Sequence, residues 1–144
     1  AHARFQTPAL PSLQYLMHEW SLGAVTWELL ANSGMVRVIH VPHVLEKAAC
    51  IGSGQVTLEI HDLQIPVNTG CYTVTFTDGT VLSVVSSRQE ADAVMDISTF
   101  SALIAGVWDW EDAKHTFSGL TVTNDTPALR QLFYRKPLMI VDFF

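Results

Sequence analysis

Two periods of apolar residues organise the chain. Over residues 55–61, Val56, Leu58 and Ile60 alternate with Gln55, Thr57 and Glu59, the two-residue period of a strand with one buried face. The runs CYTVTFT and TVLSVVS then flank Asp78 and Gly79, which predicts a two-residue hairpin turn with glycine supplying the positive φ. Counting outward from that turn sets Phe76 opposite Val81 and Tyr72 opposite Val85. Leu82 and Val84 then face threonines, so the second strand is apolar on both sides, which predicts a place inside the sheet.

The final third changes to a helical period. Ile97, Phe100, Leu103, Ile104 and Val107 share a helix face, with Asp96 or Ser98 as its cap and Gly106 near its end. A second helix opens at Asp109, turns Trp110, Ala113 and Phe117 inward and stops at Gly119. A third starts at Thr126-Pro127 and buries Leu129, Leu132 and Phe133. Earlier, Tyr15 to Trp20 reads as a short helix, Ala24 to Leu30 as a strand, MVRVIHV as a β-rich run ending at Pro42, and HVLEKAA as a short helix. Strands followed by helices predict an α+β domain: a mostly antiparallel sheet of about five strands with helices packed on one face.

Composition narrows the function classes. Charged residues make up 15% of the 144-residue chain and hydrophobic ones 49%, whereas about 25% charged is ordinary. That shortage predicts a large buried interface, as in a homo-oligomer or a piece of a longer chain. The net charge of -6, with lysines and arginines scattered singly, argues against nucleic acid as a partner. No apolar run reaches the length of a membrane span and no signal segment opens the chain, so a cytoplasmic setting is expected. The opening AHARFQ, without Met, reads as a cut or processed start. Cys50 and Cys71 form no CxxC pair and read as buried small apolar residues.

Candidate chemistry is sparse. His40 and His43 could share a metal on a helix, but Pro42 between them breaks that geometry and no Cys or carboxylate pair completes a site. Glu111 and His115 stand at i, i+4 in WDWEDAKHTF, yet acids at the start of a helix and bases at its end are what the helix dipole favours. Ser98 and Ser101 have no His and Asp partners in view, so a nucleophilic triad lacks support. GSG at residues 52–54 reads as a turn rather than a phosphate loop. The tryptophans and phenylalanines fall at core spacings, although they could line an apolar ligand cavity.

The last 49 residues, DISTFSALIAGVWDWEDAKHTFSGLTVTNDTPALRQLFYRKPLMIVDFF, resemble the end of the enhanced-intracellular-survival (Eis) type N-acetyltransferases, whose C-terminal domain is sterol-carrier-protein-like. The features in order are a strand ending in Asp96, the helix around Phe100 to Ile104, an acidic helix ending near Gly119, the helix from Pro127 to Phe133, and the terminal Asp142-Phe143-Phe144. MVRVIHVPHVLEKA resembles that domain's opening strand and helix, and IPVNTGCYTVTF its strand entry at Asn68. Where the family usually has an acid, this chain has His40.

The likeness divides the chain into 1–34, resembling the tail of a preceding acetyltransferase domain, and 35–144, the sterol-carrier-protein-like domain. The upstream GNAT-type domains that bind acetyl-CoA are absent from this sequence. The resemblance implies no cofactor in this chain, acetyl-CoA entering only through those missing domains. It makes the α-carboxylate of Phe144 a general base toward a substrate amine, positioned by Asp142 and Phe143. The expected partners are acetyltransferase domains in cis or in trans. A stand-alone module holding a lipid or other apolar small molecule, and a structural protein docking on separate acetyltransferase domains, are the other readings.

Overall fold

The computed structural model describes residues Val36–Lys136; the helix and strand predicted before Met35 lie outside them. The elements in chain order are α1 (Val41–Glu46), β1 (Gly54–His61), a 3-10 turn (Pro66–Asn68), β2 (Gly70–Thr77), β3 (Thr80–Ser86), β4 (Ala93–Asp96), α2 (Ile97–Ile104), α3 (Trp110–Thr116), β5 (Leu120–Val122) and α4 (Pro127–Leu132). The strands lie side by side in the order β3-β2-β1-β4-β5. Every pairing is antiparallel except β1 with β4.

The sheet has one packed face and one open face, as the alternation in β1 requires. Val56, Leu58 and Ile60 of β1, Val74 and Phe76 of β2, and Ala93 and Met95 of β4 are all 0–1% exposed. They share one core with Val41 and Leu45 of α1, Phe100 and Leu103 of α2, Trp110 of α3, and Leu129 and Leu132 of α4, so the helices cover this face. The opposite face presents Gln55 and His61 to solvent and joins Thr57 to Thr73 through their hydroxyls at 3.0 Å. The fold is α+β, as the order of strands and helices implied.

Local signals set the element ends. Asp78 and Gly79 turn the hairpin with φ of 46° and 85°, the paired positive values of a turn whose twist matches the strands. The Asp96 carboxylate caps α2 by accepting the Thr99 N–H at 2.7 Å, and Asp109 caps α3 through the Asp112 N–H at 2.9 Å. Thr126 flanks α4 without a side-chain cap bond, and Pro127 begins that helix.

Three expectations are corrected. The hairpin register holds at Phe76 opposite Val81, then slips at a bulge, so Tyr72 faces Ser86 and Thr73 faces Val85. The extra residue is Leu82; it moves Val84 to the packed face, opposite Val74, and leaves Leu82 and Val85 63% and 54% exposed. Second, β3 forms an edge of the sheet rather than its interior; two-sided apolarity here reflects the slip, not burial. Third, the described part of MVRVIHV makes no strand. Its backbone is bonded by side chains instead of a ladder, and the following helix starts at Val41 rather than His43. A smaller difference is Val107, 45% exposed beyond the end of α2.

Candidate functional site

Asp142, Phe143 and Phe144 lie outside the described residues. The other candidates serve the fold. His40 caps α1, its Nδ1 accepting the His43 N–H at 3.2 Å, the role for which an acid would also serve. The two rings meet edge to face at 6.3 Å on the surface. Glu111 pairs with Lys114 and Arg130 rather than His115. The Ser101 hydroxyl is occupied twice, donating to the Ile97 carbonyl at 2.6 Å and accepting the Val38 N–H at 2.9 Å. Ser98 bonds its neighbour Asp96. Cys50 is buried, whereas Cys71 is half-buried, its thiol 3.6 Å from the Gln89 carbonyl.

The residues that the fold does assemble mark where the chain enters and leaves the domain. At the entry, the loop after β1 folds around Asp62, whose side chain is fully enclosed. Its carboxylate accepts from Arg37 Nη2 at 2.7 Å, the Gln64 and Ile65 N–H groups at 3.0 Å each, and Asn68 Nδ2 at 2.9 Å. Burial opposes its ionisation, but these donors outweigh it and hold its pKa at about 2. Asn68, itself 0% exposed, accepts the Val41 N–H at 3.1 Å through Oδ1 and donates to the Ile39 carbonyl at 3.3 Å. Tyr72 closes the group, donating its hydroxyl to the Asn68 carbonyl at 3.1 Å. The entering segment is thus fastened at Arg37, Val38, Ile39 and Val41.

At the exit, the chain runs off α4 and back across the end of α2. Phe133 stacks on Trp110 with ring centroids 5.8 Å apart, and its carbonyl accepts the Trp110 N–H at 2.9 Å. Arg135 donates to Asp112 at 2.9 Å. The Lys136 N–H donates to the Gly106 carbonyl at 3.0 Å, and its ammonium to the Ile104 carbonyl at 3.1 Å. That is the negative end of the α2 dipole, where a cation is stabilised. The same ammonium lies 4.8 Å from the centre of the Tyr134 ring. Gly106 has a φ of +75°, and a Cβ there would overlap the Lys136 backbone nitrogen and Cβ. Glycine is required twice, for its conformation and for the space.

Entry and exit share one helix. Val38 is held by Ser101 and Lys136 by Ile104, positions about 4.5 Å apart along a helix axis. Beside the exit, Asp125 joins α3 to α4, accepting from Lys114 Nζ at 2.8 Å, Trp110 Nε1 at 2.8 Å and Arg130 Nη2 at 2.9 Å. Hydrogen bonds from Lys114 and Trp110 pull its pKa down to about 2. The contact of Lys136 with Gly106 escaped the sequence reading because it spans thirty positions; the glycine near a helix end was its one local sign.

Among the described residues no group of His, Cys, Asp and Glu could hold a metal ion. No helix among them is long and apolar enough to cross a membrane.

Solved structures with this fold include a GCN5-related N-acetyltransferase from Anabaena variabilis ATCC 29413, at TM-score 0.65 and 20% identity over 75% of this chain and 28% of that one. Another GCN5-related N-acetyltransferase, from Kribbella flavida, aligns at TM-score 0.63 and 22% identity, over 75% and 28%. Eis1 from Mycobacterium abscessus aligns at TM-score 0.55 and 16% identity, over 67% and 24%. The chain spans about a quarter of the length of these proteins. Likeness at such identities speaks for the fold alone. No curated protein sequence matches the chain. A family model for the sterol carrier protein domain matches residues 41–139. With that model covering the sheet and all four described helices, the chain belongs to the sterol carrier protein domain family.

Proposed function

We propose that this chain is the C-terminal module of an Eis-type N-acetyltransferase and does no chemistry alone. In this reading its work is to deliver the α-carboxylate of Phe144 as general base into an acetyl-CoA-dependent site supplied by upstream domains. Asp142 and Phe143 hold that carboxylate in place. A base has to come within about 2.6–3.2 Å of the proton it removes, and a carboxylate on the last atom of a chain can be inserted from outside the acetyl-CoA-binding domain. The base takes the proton from the amine as nitrogen attacks the thioester carbonyl, and CoA leaves with the electron pair of the broken C–S bond.

The observation that carries this reading is the fastened exit beside the fastened entry. Eight residues follow Lys136, giving the arm a reach of at most about 26–29 Å. In this reading an arm that starts from α2, the helix that also holds Val38, can return toward whatever precedes the domain. The likeness to GCN5-related N-acetyltransferases and to Eis1, all more than twice as long as this chain, agrees with such a setting. The alternative of an apolar ligand held between helices and sheet has less support, because Phe76, Phe100, Phe133, Leu103 and Leu129 occupy that layer at 0–1% exposure.

The test is truncation in the full-length protein that carries the upstream domains. Removing Phe143 and Phe144 is expected to abolish acetyl transfer to amines while leaving the circular dichroism spectrum and acetyl-CoA affinity unchanged. Undiminished turnover in the truncated protein would refute the role of the terminus. Tight binding of acetyl-CoA by the 144-residue chain alone would refute the division of labour.

A further inference from the structure

We infer that β3 is the docking edge for a second copy of this chain, the two β3 strands adding antiparallel about a two-fold axis so that their sheets join into one. The two edges of the sheet are built differently. β5 is three residues long, and brevity is one of the ways an edge avoids pairing with other chains. β3 is seven residues long, Thr80–Ser86, and carries neither a charge nor a proline, the residues that blunt an edge of that length. Its outer N–H and C=O groups make no hydrogen bond among the described residues.

The strand is held in shape before any partner arrives. Val81 and Val84 pack against the core, and Ser83, Val84, Val85 and Ser86 keep a regular register with Thr75, Val74, Thr73 and Tyr72. A bulge bends an edge away from partners, but the one at Leu82 lies toward the hairpin turn and leaves residues 83–86 regular. Leu82 and Val85 are 63% and 54% exposed on this strand, apolar area that a second strand alongside would cover.

Charge selects the occupant. Asp78 stands two residues before β3 and Arg88 two residues after it, with Glu90 further out. Antiparallel pairing of β3 with its own copy sets the Asp78 end of each strand beside the Arg88 end of the other, two opposite-charge contacts related by symmetry. Parallel addition would set like against like. Copies of a chain with a net charge of -6 repel one another over most of their surface, and an uncharged strand flanked by one charge of each sign is where that repulsion is small. The two-fold keeps the helices of both copies on one side of the joined sheet and uses up both β3 edges, so assembly closes at two. A strand pair this short buries less than the roughly 800 Å² per partner of a stable complex, so a weak dimer is expected, with a dissociation constant of about 10–100 µM. The inference goes beyond the acetyltransferase reading and does not rest on it.

The experiment is sedimentation equilibrium of the 144-residue chain from about 1 to about 500 µM, a range that brackets that constant. A monomer–dimer equilibrium is expected. Val85→Lys and Leu82→Lys should each weaken it about tenfold or more while leaving the urea unfolding midpoint where it is in the parent. Arg88→Glu should weaken it about fivefold at low salt, and the difference should shrink in about 0.5 M salt. Hydrogen exchange at the two ends of the concentration range gives a second readout: amides of β3 should gain protection as the chain is concentrated, and those of β5 should not. A chain that stays monomeric at about 500 µM overturns the inference. So does a dimer that both lysine variants leave intact, or one broken instead by Leu63→Lys, at a residue 99% exposed in the loop after β1. Growth past two copies would refute the closed two-fold.

Discussion

Replacing Asn68 with alanine should be among the most damaging polar substitutions in the domain. Its side chain is completely buried and serves three partners: it accepts the Val41 N–H at the start of α1, donates to the Asp62 carboxylate and donates to the Ile39 carbonyl. Alanine leaves the Val41 N–H without a partner at a fully buried residue, which costs about 1–3 kcal/mol. It also removes a bond to a charged acceptor, worth about 1.5–3 kcal/mol. The Ile39 bond, long at 3.3 Å, adds little. The sum is about 2.5–6 kcal/mol, or a urea midpoint lowered by about 1–3 M if m is about 2 kcal/mol per M. Far-UV circular dichroism against urea reads this directly.

A second variant turns the same site into a pH test. Asn68→Asp keeps an acceptor for Val41 but sets a second carboxylate at hydrogen-bond distance from Asp62, and two such groups cannot both ionise without penalty. One of the pair then has its folded pKa raised, so its destabilisation is greatest above that pKa and is relieved as the pH falls through it. Asp62 in the parent chain has the opposite sign. Its folded pKa of about 2 lies below the ordinary value of 3.8, so its stabilisation is present above pH 4 and lost as the pH falls toward 2. Between pH 7 and 5 Asn68→Asp should gain stability while the parent chain stays level. A midpoint shift under about 0.5 M for Asn68→Ala, or an Asn68→Asp variant indifferent to pH, would refute the claim that this network fastens the entering chain.

Two further substitutions test the core and the surface. Trp110→Phe keeps an aromatic ring on Phe133 but drops the Nε1 bond to the Asp125 carboxylate and leaves a cavity in the core, so it should cost about 2–4 kcal/mol in urea unfolding, with a salt dependence weaker than that of Arg130→Ala. Leu82→Lys, on the exposed face of an edge strand, should leave the unfolding free energy within about 0.5 kcal/mol of the parent and raise solubility measured by precipitation.

Features written over a few neighbouring residues were legible in the sequence. Val56, Leu58 and Ile60 announced β1, Asp78 and Gly79 the hairpin, and Asp96 and Asp109 the two helix caps, because each depends on contacts within four positions or on a simple alternation. The slip at Leu82 was not legible, since a bulge depends on which partner residues find room across the strand pair. Nor was the absence of a strand at Val36 to His40, where a β-rich composition yields to side-chain bonds from Ser101 and Asn68, far along the chain. The candidate site divides in the same way. Its terminal residues stood out as an apolar, aromatic ending, whereas the fastening of Lys136 depends on Gly106 thirty positions away.

The parallel pairing of β1 with β4 also governs how this domain can fold. β1 meets β2 through a short connection, but its other neighbour arrives only after the whole hairpin, and its packed face is closed by α4, where Ala128 lies against Gly54. The hairpin can close early because its ends are near in sequence, while β1 gains its remaining contacts only after much longer loops are drawn shut. The central strand is thus the last to be completed, and a chain cut before Pro127 would leave its edges paired but its packed face without α4. The domain forms as a whole or leaves its most apolar strand exposed.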